Sequence, residues 1–114
     1  MVDDEPNIIR VTARFLRRCG ALVLTAASGE EALAVISREP GLDCVLSDVM
    51  MPGITGIELI CRLPCALRRR AVLFTASVLE VRDHQMIPDG VPVLRKPVDN
   101  SVLHDAVVCA AARI

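Results

Sequence analysis

Apolar positions along the 114 residues switch repeatedly between helical spacing and short continuous runs. Ile8, Val11, Phe15, Leu16 and Cys19 recur at helical intervals, and Gly20 then supplies a stop. Ala21-Leu22-Val23-Leu24 has the length and composition of a buried strand. Ser28-Gly29-Glu30-Glu31 matches a capping box, in which the Ser and Glu side chains satisfy free amides at a helix start. The next helix is expected to bury Ala32, Leu33 and Ile36 and to stop before Pro40-Gly41. Cys44-Val45-Leu46 predicts a short strand running into Ser47-Asp48. After the Met51-Pro52-Gly53 loop, Ile57, Ile60 and Cys61 mark a short third helix, ended by Pro64. Ala71-Val72-Leu73-Phe74 is a further strand, ending at Thr75. A weak helical pattern covers residues 77–85. Pro88-Asp89-Gly90 then turns the chain into a strand over residues 91–94, and Asn100 is placed to cap a last helix burying Leu103, Ala106, Val107 and Ala110.

Short apolar strands alternating with amphipathic helices predict an α/β fold, with a doubly wound parallel sheet covered on both faces. The length fits one domain over residues 1–114. The start is unusual. Only Met1 and Val2 precede Asp3, so the first strand is expected to be truncated, leaving its neighbours with unpaired backbone groups. Either the start of the chain is truncated, or a partner supplies the missing strand by strand addition or swapping.

Composition narrows the classes. Hydrophobic residues make up 53% of the chain, which is therefore a packed globular protein. Thirteen basic and fourteen acidic residues leave a formal charge of -1, without the basic excess of a nucleic-acid binder. Phe15 and Phe74 are the sole aromatics, too few for a base-stacking platform. The acidic N-terminus has no signal-peptide core, and no apolar run reaches the roughly 20 residues of a membrane span. A cytoplasmic location is expected. The five cysteines, Cys19, Cys44, Cys61, Cys65 and Cys109, follow no secreted or zinc-binding spacing and read as small buried hydrophobes. Arg68-Arg69-Arg70 reads as a solvated loop, and His84 and His104 as solvated helix positions.

In an open parallel sheet, ligands bind beyond the carboxyl ends of the strands. The residues in those places are Asp3 and Asp4 after the first strand, Asp48 after the third, Thr75 after the fourth and Lys96 after the fifth. Three carboxylates this close repel one another unless a cation offsets them, and oxygen ligands suit Mg²⁺. A nearby ammonium and hydroxyl would neutralise and hydrogen-bond the oxygens of a transferring phosphoryl group. Lys96 is the single lysine among twelve arginines, and its slim stem can enter a crowded anionic site where Arg is bulkier.

Four segments, Val2-Asp3-Asp4-Glu5-Pro6, Asp48-Val49-Met50-Met51-Pro52-Gly53-Ile54-Thr55-Gly56, Phe74-Thr75-Ala76 and Leu94-Arg95-Lys96-Pro97, resemble the signatures of response-regulator receiver domains in order and spacing. The resemblance covers the whole chain. It implies a flavodoxin-like three-layer sandwich with five strands in the order 2-1-3-4-5. It implies that Asp48 accepts a phosphoryl group from a histidine kinase or phosphotransfer protein in two-component signalling. It further implies Mg²⁺ held by Asp4, Asp48 and the Met50 carbonyl, with Asp3 acting mainly through water. Thr75, Ala76 and Lys96 would contact the phosphoryl group, and Lys96-Pro97 would be a cis bond. Met50 and Ser77 would flank the attacking water and tune hydrolysis. A homodimer is possible in such a family, and the domain is a signalling device whose chemistry is limited to its own phosphorylation and dephosphorylation.

The chain departs from the family at Val93, where relatives carry Tyr or Phe. An aromatic switch is impossible there, so a signal would have to travel through the backbone or other side chains. Two rival readings remain. A receiver-like binding module could work without phosphate. A phosphatase of the haloacid-dehalogenase type would need a second carboxylate two residues after Asp48, where this chain has Met50.

Overall fold

The computed structural model describes residues 1–76, 79 and 81–113, without the side chains of Val81 and Arg82. Six helices appear among them, α1 (Pro6–Arg18), α2 (Gly29–Arg38), α3 (Gly56–Cys61), α4 (Cys65–Arg68), α5 (Val81–Met86) and α6 (Asn100–Ala111). Three strands, β1 (Val45–Asp48), β2 (Ala71–Thr75) and β3 (Val93–Arg95), form a parallel sheet in that order. Beyond β1 the sheet continues as single bridges, with Val2 lying parallel between Ser47 and Ala26. The lane order is therefore 2-1-3-4-5, and its first two lanes are reduced to one bridge each. β1 and β2 are buried along their whole length, as parallel strands covered on both faces must be. One apolar cluster, including Val49, Leu59, Ile60 and Leu73, fills the side of α2 and α3; the other, including Leu16, Leu46, Val72 and Leu103, fills the side of α1 and α6.

Residues 21–24 do not form the buried strand that their composition predicts. Leu22 is fully exposed, and Leu24 is 44% exposed. A parallel strand needs a neighbour, and Met1, Val2 and Asp3 lie beside one end of this segment. Their backbone bonds hold its far end alone: the Met1 ammonium donates to Leu24 O at 2.9 Å, Ala26 N–H to Met1 O at 3.0 Å and Asp3 N–H to Ala26 O at 3.2 Å.

Several helix details also differ from the sequence expectation. On α1 Ala13 and Leu16 are buried, and the expected Ile8 and Phe15 are half-buried against the core. Ile9 and Thr12 are also half-buried, while Val11 and Cys19 are exposed. The face thus follows 8-12-15-16, with 13 in place of the expected 11. Asp99, not Asn100, caps α6; its extended backbone lets the carboxylate accept from Ser101 N–H at 2.9 Å. The capping box at α2 forms as Ser28 Oγ accepting from Glu31 N–H at 3.1 Å, with Glu31 reaching back to Ala27 N–H at 2.9 Å.

Pro64 ends α3 and also opens the unexpected turn α4, since it needs no donor at a helix start. Arg68 and Arg70 are half-buried, not solvated. Their guanidinium groups donate to Leu63 O and Ala66 O, fastening α4 to the chain that leads into β2. The weak pattern over residues 77–85 appears as α5, later and shorter, with Ser77, Val78 and Glu80 outside the described residues. Four of the five cysteines are exposed and Cys44 is half-buried. The four exposed ones occupy helix ends and outward faces, whereas Cys44 packs against the core before β1. No helix of the described residues is long and apolar enough to cross a membrane.

Candidate functional site: an acidic pocket at the carboxyl edge of the sheet

The site is built by strand ends. Asp48 is the last residue of β1 and Thr75 the last of β2, and both are buried. Asp3 and Asp4 follow Val2 in the adjoining lane; Asp3 is fully buried and Asp4 exposed. Val2 fixes that lane, since its N–H donates to Leu46 O at 2.7 Å and its carbonyl accepts from Asp48 N–H at 2.8 Å. One carboxylate oxygen from each of Asp3, Asp4 and Asp48 lies within 4.8 Å of the others. Such a set of hard oxygen donors, two buried and one facing water, fits a small divalent cation.

Lys96 comes directly after β3. Its backbone N–H donates to Thr75 O at 2.8 Å. Its ammonium donates to Asp3 Oδ2 at 2.9 Å and lies 3.5 Å from Asp48 Oδ2. The stem rests on an aromatic floor, with Nζ 4.4 Å from the centroid of the Phe74 ring. The bond from Lys96 to Pro97 is cis. Asp3 is committed on both sides, because its Oδ1 accepts from Glu5 N–H at 2.9 Å. Burial pushes the Asp48 carboxyl above the ordinary carboxylate range. Lys96 opposes that effect, the charge of Asp3 adds to it, and a backbone hydrogen bond from Met50 opposes it. A cation beside Asp48 would remove most of this penalty.

The loop after β1 is held by close backbone packing and by side-chain bonds to its backbone. Gly56 opens α3 so close to β1 that a Cβ there would lie 2.0 Å from Asp48 O. Gly56 N–H donates to Val49 O at 2.8 Å, and Ser47 Oγ to Asp48 O at 2.9 Å. On the other side of the loop Glu30 accepts from Ile54 N–H at 3.3 Å, and Gly53 takes a positive φ of 77° beside it. The predicted residues Asp3, Asp4, Asp48, Thr75 and Lys96 are thus brought to one edge. Met50 and Ala76 stand exposed at its rim, and Val93 is half-buried against the core of β3. Ser77 lies outside the described residues. The Phe74 floor, the Ser47 hydroxyl and the Gly56 contact are not legible in the sequence. A Phe and a Ser inside apolar strands carry no spacing signal, and a glycine three residues after a Pro-Gly turn reads as loop.

The fold is found in known proteins. The family model of the response regulator receiver domain matches residues 1–108. The chain is 32% identical over 115 residues to the transcriptional regulatory protein GlrR of Escherichia coli, covering 94% of this chain and 24% of GlrR. It is 34% identical over 116 residues to the sensor histidine kinase RcsC of Salmonella typhimurium, covering all of this chain and 12% of RcsC. It thus spans about a quarter of the first relative and an eighth of the second. A receiver domain from Clostridium thermocellum superposes with a TM-score of 0.86 at 26% identity, covering 96% of this chain and 90% of that one. With its parallel sheet, its acidic edge and a family match over nearly every residue, the chain belongs to the response regulator receiver family.

Proposed function

We propose that Asp48 is the phosphoacceptor of this domain, receiving the group from a phosphohistidine of a histidine kinase or phosphotransfer protein. The observation that carries this reading is the meeting of Asp3, Asp4 and Asp48 within 4.8 Å, with the Lys96 ammonium 3.5 Å from Asp48. An Asp48 carboxylate oxygen bonds to phosphorus as the P–N bond to imidazole breaks. The released ring nitrogen then takes up a proton from water.

Asp4 and Asp48, with the Met50 carbonyl, would hold Mg²⁺, and Asp3 would act through water because Lys96 and Glu5 already occupy its oxygens. Mg²⁺ would supply charge neutralisation to the phosphoryl oxygens. Lys96 sits where it can shift from the carboxylates to a phosphoryl oxygen, guided by the Phe74 face. Thr75 Oγ1 and the Ala76 amide stand at the end of β2, the place from which a phosphoryl oxygen would be hydrogen-bonded. Met50 would flank the route of attacking water, and the family resemblance assigns the same role to Ser77, which lies outside the described residues. Val93 leaves no aromatic ring to report this change, so the readout falls to the backbone between β2 and β3.

Incubation with acetyl phosphate and Mg²⁺ should give one adduct of phosphoryl mass, labile to hydroxylamine and absent in Asp48→Asn. No adduct under conditions that label other receivers would favour a binding module that works without phosphate.

A further inference from the structure

Helix α1 carries a single sign of charge. Arg10, Arg14, Arg17 and Arg18 are exposed along it, and the helix contains no acidic residue. Arg10, Arg14 and Arg18 recur at every fourth position, so they line one flank over about 12 Å. Like charges at this spacing weaken a helix. Among the described residues none of the four arginines is in an ion pair that would offset the repulsion. Arg10 donates to Asn7 Oδ1 at 3.2 Å and Arg17 to the Val23 carbonyl at 2.8 Å, both neutral acceptors. The second bond holds the Arg17 guanidinium beside residues 21–25.

A groove of about 530 Å³ runs between the arginines and Thr25, with Ile9 and Ala13 lining it on the helix side. It is a cationic rim around a small apolar strip. The groove lies on the flank of α1 turned from α6, because Ile8 and Phe15 make the packing shared with Leu103 and Val107.

Charge sets the class of occupant. The whole chain has a formal charge of -1, so the surface outside α1 is net acidic. A long polyanion such as duplex DNA, or a plane of anionic lipid, would meet that acidic remainder as well as the arginines. An anionic segment no longer than α1 meets the arginines alone. The apolar strip further calls for apolar groups beside the anionic ones, which a phosphate chain lacks. An α-helix with Glu at every fourth position repeats at the arginine spacing. An apolar residue three positions after each Glu would share its face and reach the strip.

We propose that this flank of α1 docks an acidic amphipathic helix of a partner protein, its carboxylates pairing with Arg10, Arg14, Arg17 and Arg18. The planar guanidinium groups can take carboxylates bidentately, and each pair also relieves the repulsion along α1. No residue of the acidic pocket lines the groove, and the inference does not rest on phosphorylation.

The test uses the full 114-residue chain and a fluorescein-labelled helix, Glu-Ala-Gln-Leu repeated four times, beside the same peptide with Gln for every Glu. Fluorescence anisotropy should show saturable binding of the first, at least tenfold tighter than the second. Circular dichroism should show its helicity rise on binding. Arg14→Gln/Arg18→Gln should weaken binding at least tenfold while melting no lower than the parent. Arg38→Gln/Arg69→Gln removes the same charge elsewhere and should bind as the parent does. Equal binding of both peptides, or none, overturns the proposal. An equal loss in both double variants reports net charge alone and also overturns it. Tighter binding to a short DNA duplex or to phosphatidylglycerol vesicles would assign the arginines to that polyanion and reject the helix.

Discussion

The Lys96 ammonium donates to Asp3 Oδ2 at 2.9 Å, across 93 positions of sequence, and so ties the lane of Val2 to the strand at the far edge of the sheet. Asp3 is fully buried, and Lys96 is its charged partner. The pair therefore acts as a structural clamp and as the cationic side of the acidic pocket.

Replacing Lys96 by Met keeps the stem over Phe74 and removes the charge. Asp3 would then be a buried carboxylate without its cation, a defect that costs about 3–5 kcal/mol. Urea denaturation at neutral pH should show a loss of that order. Mg²⁺ should restore part of it, and should raise the midpoint of Lys96→Met more than that of the parent.

Asp48 carries the opposite sign. Burial raises its pKa in the folded chain above the unfolded value, with Lys96 acting against that rise. The folded state then binds more protons than the unfolded state over that window, so stability falls as pH rises through it. Asp48→Asn removes the dependence. Without metal at pH 7 the variant should be more stable than the parent, and the difference should shrink as pH is lowered toward 4. Added Mg²⁺ should stabilise the parent and have little effect on the variant.

Gly56 has no room for a side chain. A Cβ would meet the backbone carbonyl of Asp48 and the Cα of Val49, neither of which can rotate away. Gly56→Ala must displace α3 or the end of β1, at a cost of about 2 kcal/mol or more. The shift acts on Asp48 itself, so phosphoryl uptake from acetyl phosphate should slow at temperatures where the variant is still folded. A normal rate would show that the loop moves and the strand end does not.

The pKa of the Met1 ammonium is lowered from its ordinary value of 8.0 to about 6, chiefly by burial, with Cys44 opposing. Between these values the unfolded chain binds the extra proton, so stability rises as pH goes from about 6 to 8. Two pH units bound the effect at about 2.7 kcal/mol. Chemical denaturation across this range should show the rise, and acetylation of the N-terminus should flatten it.

Composition and spacing determined the alternation of elements and the set of Asp3, Asp4, Asp48, Thr75 and Lys96 at one edge, and the resemblance to receiver domains implied the lane order. The first two come from local patterns: apolar runs specify parallel strands, and the residue after each run must emerge on the same side of the sheet. Tertiary structure alone decided which partner Lys96 takes, that Phe74 lies beneath it, that Gly56 touches the backbone of Asp48, and that Ala13 and not Val11 faces the core on α1. It also decided the fate of residues 21–24, whose apolar sequence reads as a strand. Strand formation is a property of a pair, and a segment with strand composition stays exposed where it is paired at one end alone.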